Sequence, residues 1–208
     1  MTRTTAGALL CTLLLCVSCA DIYYSPNART IAAGHETIAI LPPKVSIAAQ
    51  RKVDAEAIKE QQKTESINLQ QEMYTWLLRR KMQQRISVDL QDVETTNAKL
   101  REIGYYESNT NSPAELAEIL GVDAVMYSNY ALSKPISTGG AIALAVIAGF
   151  GGPTNEAAVT LKITDRTTKE MIWSFNHTIQ GSLGSSPNQL VNALMRQAST
   201  KMPYYNRS

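Results

Sequence analysis

Few side chains in this sequence of 208 residues are of a type that takes part in reactions, and their positions limit the chemistry. The histidines are His35 and His177; the cysteines are Cys11, Cys16 and Cys19. All three thiols fall within the first nineteen residues, so the remaining chain has no sulfur nucleophile and no pair to oxidise. Downstream there is no HExxH and no carboxylate cluster with ligand spacing, which predicts no metal site. The run "GSLGSS" (181–186) is not the G-x-S-x-G of a nucleophile elbow, and "GFGGPT" (149–154) lacks the lysine of a phosphate loop. Asp123 and Asp165 read as isolated acids, and His177 as an ordinary packed or surface strand residue. "NHT" at Asn176 matches a glycosylation sequon, a pattern common by chance. Tyr23-Tyr24, Tyr105-Tyr106 and Tyr204-Tyr205 read as amphipathic cover at domain edges. The expectation is no catalytic residue, no metal and no cofactor.

One reaction is legible, and it is done to the chain rather than by it. Arg3 begins a short positive stretch, Ala6–Leu15 is apolar, and "CVSC" closes the segment at Cys19. That is the layout of an export signal, too short for a stable span. With small Ser18 before Cys19 it resembles a bacterial lipoprotein signal, although Cys16 stands where leucine is usual. The resemblance implies acylation of Cys19, which becomes the first residue after cleavage. Two or more acyl chains would hold the body durably on a bilayer, and the outer membrane of a Gram-negative envelope is the expected location. Removing 18 of the 208 residues leaves 190, enough for one domain. One of the 20 basic residues leaves with the signal, so 19 face 18 acids. A balance so near neutral gives no case for nucleic acid.

The elements that follow must carry any site. Residues 19–35 contain Pro26, Asn27 and Gly34 and read as a tether reaching roughly 20 Å, with an ordered arm as the alternative because of Ile22, Tyr23 and Tyr24. One domain then spans 36–208. "ETIAILPP" (36–43) predicts a strand stopped by proline. From 53 to 86 the chain reads as helix-forming, with Ile67, Tyr74, Leu77, Leu78 and Met82 on one core stripe; the part before Ile67 is too polar for burial and reads either as the exposed start of the helix or as a mobile loop. A short strand over 86–92 and a helix ending at Gly104 come next. "SPAELAEILG" has Ser112 as N-cap, Pro113 at N1, Glu115 at N3 and Gly121 as stop. Strands follow at 122–132 and, as a hairpin about "DRTTKE", in "EAAVTLKITDR" and "EMIWSFNHTIQG". Ser186–Met202 closes the chain as a helix with Leu190, Leu194 and Ala198 at spacing four. This order predicts an α/β sandwich of two or three layers, with a mixed sheet of about five strands.

Between strands lies the insert Gly139–Gly152, "GGAIALAVIAGFGG". As a helix its ten apolar residues rise about 15 Å, half of a hydrocarbon core. As a strand it lacks the polar alternation of a barrel wall. It is either a core segment docked on its own sheet or an exposed apolar patch formed by Ile142, Leu144, Val146, Ile147 and Phe150. Gly139, Gly140, Gly151 and Gly152 would be its hinges.

The lipidated start, "IAILPP", the helix "SPAELAEILG" running into "VDAVMYSNY", and the hairpin "VTLKITDRTTKEMIW" together resemble one superfamily. It contains the curli-secretion-channel lipoprotein, the TolB amino-terminal domain and the lipoprotein activator of penicillin-binding proteins. The resemblance covers about 36–202 and is most specific over 116–130 and 159–173. It implies an envelope protein that binds, scaffolds or oligomerises, with a membrane and a protein partner or a second copy as its contacts. The alternatives are a component of an oligomeric secretion assembly, or a cell-wall glycan-binding or hydrolytic domain using the tyrosines and His177.

Overall fold

The computed structural model describes residues 20–48, 54–108, 110–133, 136, 156–180 and 186–206. In chain order the elements are β1 (Asp21–Tyr24), α1 (Ala28–Ala33), β2 (Thr37–Ile40), β3 (Lys44–Ile47) and α2 (Ala55–Met82). After them come β4 (Asp89–Leu90), α3 (Val93–Glu102), α4 (Pro113–Leu120), β5 (Ala124–Leu132), β6 (Glu156–Asp165), β7 (Met171–Gln180) and α5 (Pro187–Ala198). A 3-10 turn over Ser199–Lys201 follows α5.

The α/β prediction holds, with seven strands in one mixed sheet rather than about five. The order is β1-β7-β6-β5-β2-β4, and β3 also pairs with β5. β5, β6, β7 and β1 are antiparallel neighbours, whereas β2 and β3 both run parallel to β5. Leu41, Pro42 and Pro43 separate β2 from β3, because two consecutive prolines interrupt the ladder; the chain then rejoins β5 at Asn129–Leu132. The additional strands are β1 and β3, each of four residues.

Residues 21–35, read as a tether or an ordered arm, take the ordered form. Asp21–Tyr24 pairs with Asn176–Trp173 of β7, Ala28 and Ala32 are buried, and the Tyr24 hydroxyl donates to the Lys201 carbonyl.

Helices cover both faces unequally. On one face α2 and α5 bury Leu69, Met73, Leu77, Leu190 and Leu194 against Ile38, Tyr130, Leu161, Trp173 and Phe175. On the other, α3 and α4 cover only the β2–β5 part, through Leu100, Leu116 and Leu120 on Ala39, Leu41 and Val125. The capping box at Ser112 and Glu115 and the left-handed Gly121 (φ 71°) fix the ends of α4 as its sequence predicts.

The stripe predicted for α2 is rotated. Leu77 is buried, but Ile67, Leu78 and Met82 are 50%, 38% and 77% exposed. The inward face instead carries Gln61, Glu65, Leu69, Gln70, Met73, Trp76 and Leu77. Hydropathy misjudges this helix because its buried polar groups have specific partners. The Gln70 amide donates to the Ile40 carbonyl (2.8 Å) and exchanges hydrogen bonds with Asn97 (3.0 and 2.9 Å).

Candidate functional site

Cys19, the hinges Gly139, Gly140, Gly151 and Gly152, and the patch Ile142, Leu144, Val146, Ile147 and Phe150 all lie outside the described residues. The structure does define the ground from which the insert departs. β5 and β6 pair over nine positions, from Ala124↔Asp165 to Leu132↔Ala157. Beyond Leu132 the pairing closes with the Ser133 amide donating to the Glu156 carbonyl (2.9 Å) and the Glu156 amide donating to the Ser133 hydroxyl (2.9 Å). Next to this closure, Ile136 is buried and its amide donates to Glu65 Oε1 (2.8 Å), which also accepts from Gln61 Nε2 (3.0 Å). Glu65 has no solvent exposure. A carboxylate in that position fixes the root of the 134–155 connection to α2.

At the same end of the sheet are the last residues of β3 and β7. Lys44–Ile47 pairs with Asn129–Leu132, and Glu156 pairs with Gln180. Among the described residues, one face here carries no helix. Lys44, Ser46, Asn129, Ala131, Ala158, Thr160, Asn176 and Thr178 line an open groove of about 460 Å³. His177 borders it, but pairs with buried Val159 on the opposite face, and its Nε2 lies 3.3 Å from Gln197 Nε2 of α5. Burial lowers the His177 pKa, holding the ring neutral. Its imidazole is thus turned into the helix layer and away from the groove.

The other end of the molecule holds a polar chain that the sequence does not announce. Asp123 and Asp165, read as isolated, both have partners. His35 Nε2 lies 2.7 Å from Asp165 Oδ1, and His35 Nδ1 lies 2.7 Å from the Tyr204 hydroxyl. An ionised carboxylate only accepts, so Nε2 donates to Asp165, and in that tautomer Nδ1 accepts a hydrogen bond from the Tyr204 hydroxyl. The Thr168 amide donates to the second Asp165 oxygen. Asp123 accepts from the amides of Glu36 (2.8 Å) and Thr37 (3.0 Å) and faces Arg166 at 3.2 Å. Burial raises the Tyr204 pKa well above the usual tyrosine range, so its proton stays on oxygen. The chain resembles a relay, but Tyr204 is only 2% exposed. Its geometry joins the segment after α5 to the start of β2 and the end of β6.

Both carboxylates titrate below their ordinary value. For Asp165, burial pushes the pKa up, but hydrogen bonds from Thr168 and His35 more than offset it. For Asp123, burial is likewise outweighed by the Thr37 and Glu36 amides and Arg166. The unfolded chain therefore takes up protons first as pH falls. Stability from these groups is complete above about pH 4 and is lost on further acidification. A urea midpoint followed from pH 6 to pH 2.5 should fall steeply below pH 4, and Asp165→Asn should flatten that slope.

Among the described residues no group of three His, Cys, Asp or Glu is placed to hold a metal ion. Nor is any helix among them long and apolar enough to cross a membrane. No protein-family model and no curated protein matches this chain. Among solved structures it is similar to lipoprotein GNA1162 from Neisseria meningitidis, at 12% identity and a TM-score of 0.44, covering 80% of this chain and 96% of that one. It is similar to PelC from Paraburkholderia phytofirmans, solved as a dodecamer, at 12% identity and 0.43, covering 91% and 99%. It is also similar to the LpoB C-terminal domain from Salmonella enterica, at 14% identity and 0.37, covering 71% and 84%. A bacterial lipoprotein is thus among the structures it is similar to. At these identities and TM-scores they assign neither a superfamily nor a function to this chain.

Proposed function

We propose that this protein is an exported, lipid-anchored, non-enzymatic module of the bacterial envelope, which self-associates or docks a protein partner through Ile142, Leu144, Val146, Ile147 and Phe150. The observation carrying this reading is the closure at Ser133 and Glu156. An antiparallel pair closed there needs a loop of only about two to five residues. Residues 134–155 supply far more, and connections longer than about 12–15 residues are uncommon in compact domains unless they are functional or act as linkers.

Magnitudes favour a membrane setting. Burying about 500 Å² of apolar surface from the insert gains roughly 12 kcal/mol gross. That is comparable with the entropy lost on association, about 4–15 kcal/mol. Such a contact is weak between freely diffusing molecules and becomes effective when acyl chains on Cys19 confine the partners to one surface.

The test is Ile142→Asp combined with Val146→Asp in the acylated protein. The complex recovered from detergent-solubilised membranes should shrink to the protomer mass, with the melting temperature unchanged. Unfolding of the variant would assign the stripe to the core. An intact assembly would remove the insert from the interface.

A further inference from the structure

We infer that the protein stands end-on on its bilayer, with the sheet end marked by Ala48, Ser133, Glu156 and Gln180 against the headgroups and the His35–Tyr204 end turned away. This rests on the anchor at Cys19 proposed above. It adds which part of the molecule meets the lipid.

The argument starts from the register of β1. β1 is antiparallel to β7, with Asp21 opposite Asn176 and Tyr24 opposite Trp173. β7 runs toward Gln180, so the chain enters β1 from the Gln180 end and travels away from it. From Asn176 to Gln180 is four residues, about 13 Å along a strand. Cys19 is two residues before Asp21, a reach of at most about 7 Å. The acylated residue therefore cannot move far from that end, and Ala20, part-buried against the main core, shortens its freedom further. Had residues 21–35 been a free tether, the anchor would leave the domain unoriented.

The remaining elements fix what lies at each end. α2 begins at Ala55, passes Ile136 at Glu65, and ends where Lys81 meets Asp89 (2.8 Å) and the Ser87 carbonyl (3.0 Å). Its 28 residues span about 42 Å, which places Met82 far from the lipid. Among the described residues, the charged ones toward the inner end include Asp54, Glu56 and Glu156 alongside Lys44 and Lys59. With both signs present, the covalent anchor sets the orientation, and neither anionic lipid nor salt should alter it.

The body has no cysteine after position 19, so single labels can be placed cleanly. The full acylated protein, carrying a fluorophore at Gln180→Cys or at Met82→Cys, is reconstituted in phosphatidylcholine vesicles containing a headgroup spin-label quencher. The label at position 180 should be quenched several-fold more than the label at 82, with or without anionic lipid. Twenty Gly/Ser residues inserted between Cys19 and Ala20 should erase the difference. Equal quenching at both positions, or stronger quenching at 82, in protein that is acylated by mass and floats with vesicles overturns the orientation alone. A product that is unacylated and does not float overturns the anchor reading as well.

Discussion

His35→Ala should lower the melting temperature by on the order of 10 °C. The ring lies between Asp165 and Tyr204, and the His35 and Asp165 side chains are only 5% and 4% exposed. Its removal leaves a buried carboxylate without its imidazole donor and a buried phenol without an acceptor. Losses of this kind cost about 3–5 kcal/mol in total, far more than an exposed pair is worth. Tyr204→Phe should cost less, about 1–2 kcal/mol, because it removes one donor and keeps the packing of the ring. Calorimetry at neutral pH measures both. The loss for His35→Ala should shrink below pH 4, where protonation of Asp165 removes the buried charge that the ring serves. A fully stable His35→Ala variant would show that the chain contributes nothing to the fold.

The second large effect is expected at Glu65. Alanine there deprives the Ile136 amide and the Gln61 side chain of their acceptor in a region shielded from water. Each buried donor so orphaned costs about 1–3 kcal/mol, and the vacated volume adds to it. The expected sum is at least about 2–6 kcal/mol, with faster proteolytic cleavage within 134–155 than in the parent. Glu65→Gln keeps an oxygen in place and should retain most of the stability. Equal losses for the two variants would mean that the negative charge, rather than the acceptor, is what this position requires.

Legibility tracked how local each determinant is. α4 could be read to the residue because Ser112, Glu115 and Gly121 act on backbone groups within one turn of themselves. The β6–β7 hairpin and the Leu190, Leu194 and Ala198 face of α5 were readable for the same reason. β1 was open to two readings, since its partner lies far along the chain and only Ile22 is apolar and inward-facing. β3 has no clear signal in the sequence, because only Val45 and Ile47 are apolar in a four-residue strand that directly follows two prolines. On α2, polar residues facing a polar backbone look the same in sequence as polar residues facing water. His35 was assigned to the tether because neither Asp165 nor Tyr204 is near it in sequence. The insert was visible as a composition anomaly, and its root at Glu65 was not, because nothing sets that carboxylate apart from its helical neighbours.

The pairing of β1 with β7 also orders events in time. Its two strands stand about 150 residues apart, so the contact is among the last that a chain emerging from its N-terminus is able to make. Until Met171–Asn176 has been synthesised, the stretch at 21–24 has no strand to join and remains accessible. If the segment before Ala20 is a leader, as proposed above, the enzymes that modify and trim it act on an open substrate, and completion of the sheet then holds the stretch that follows in place.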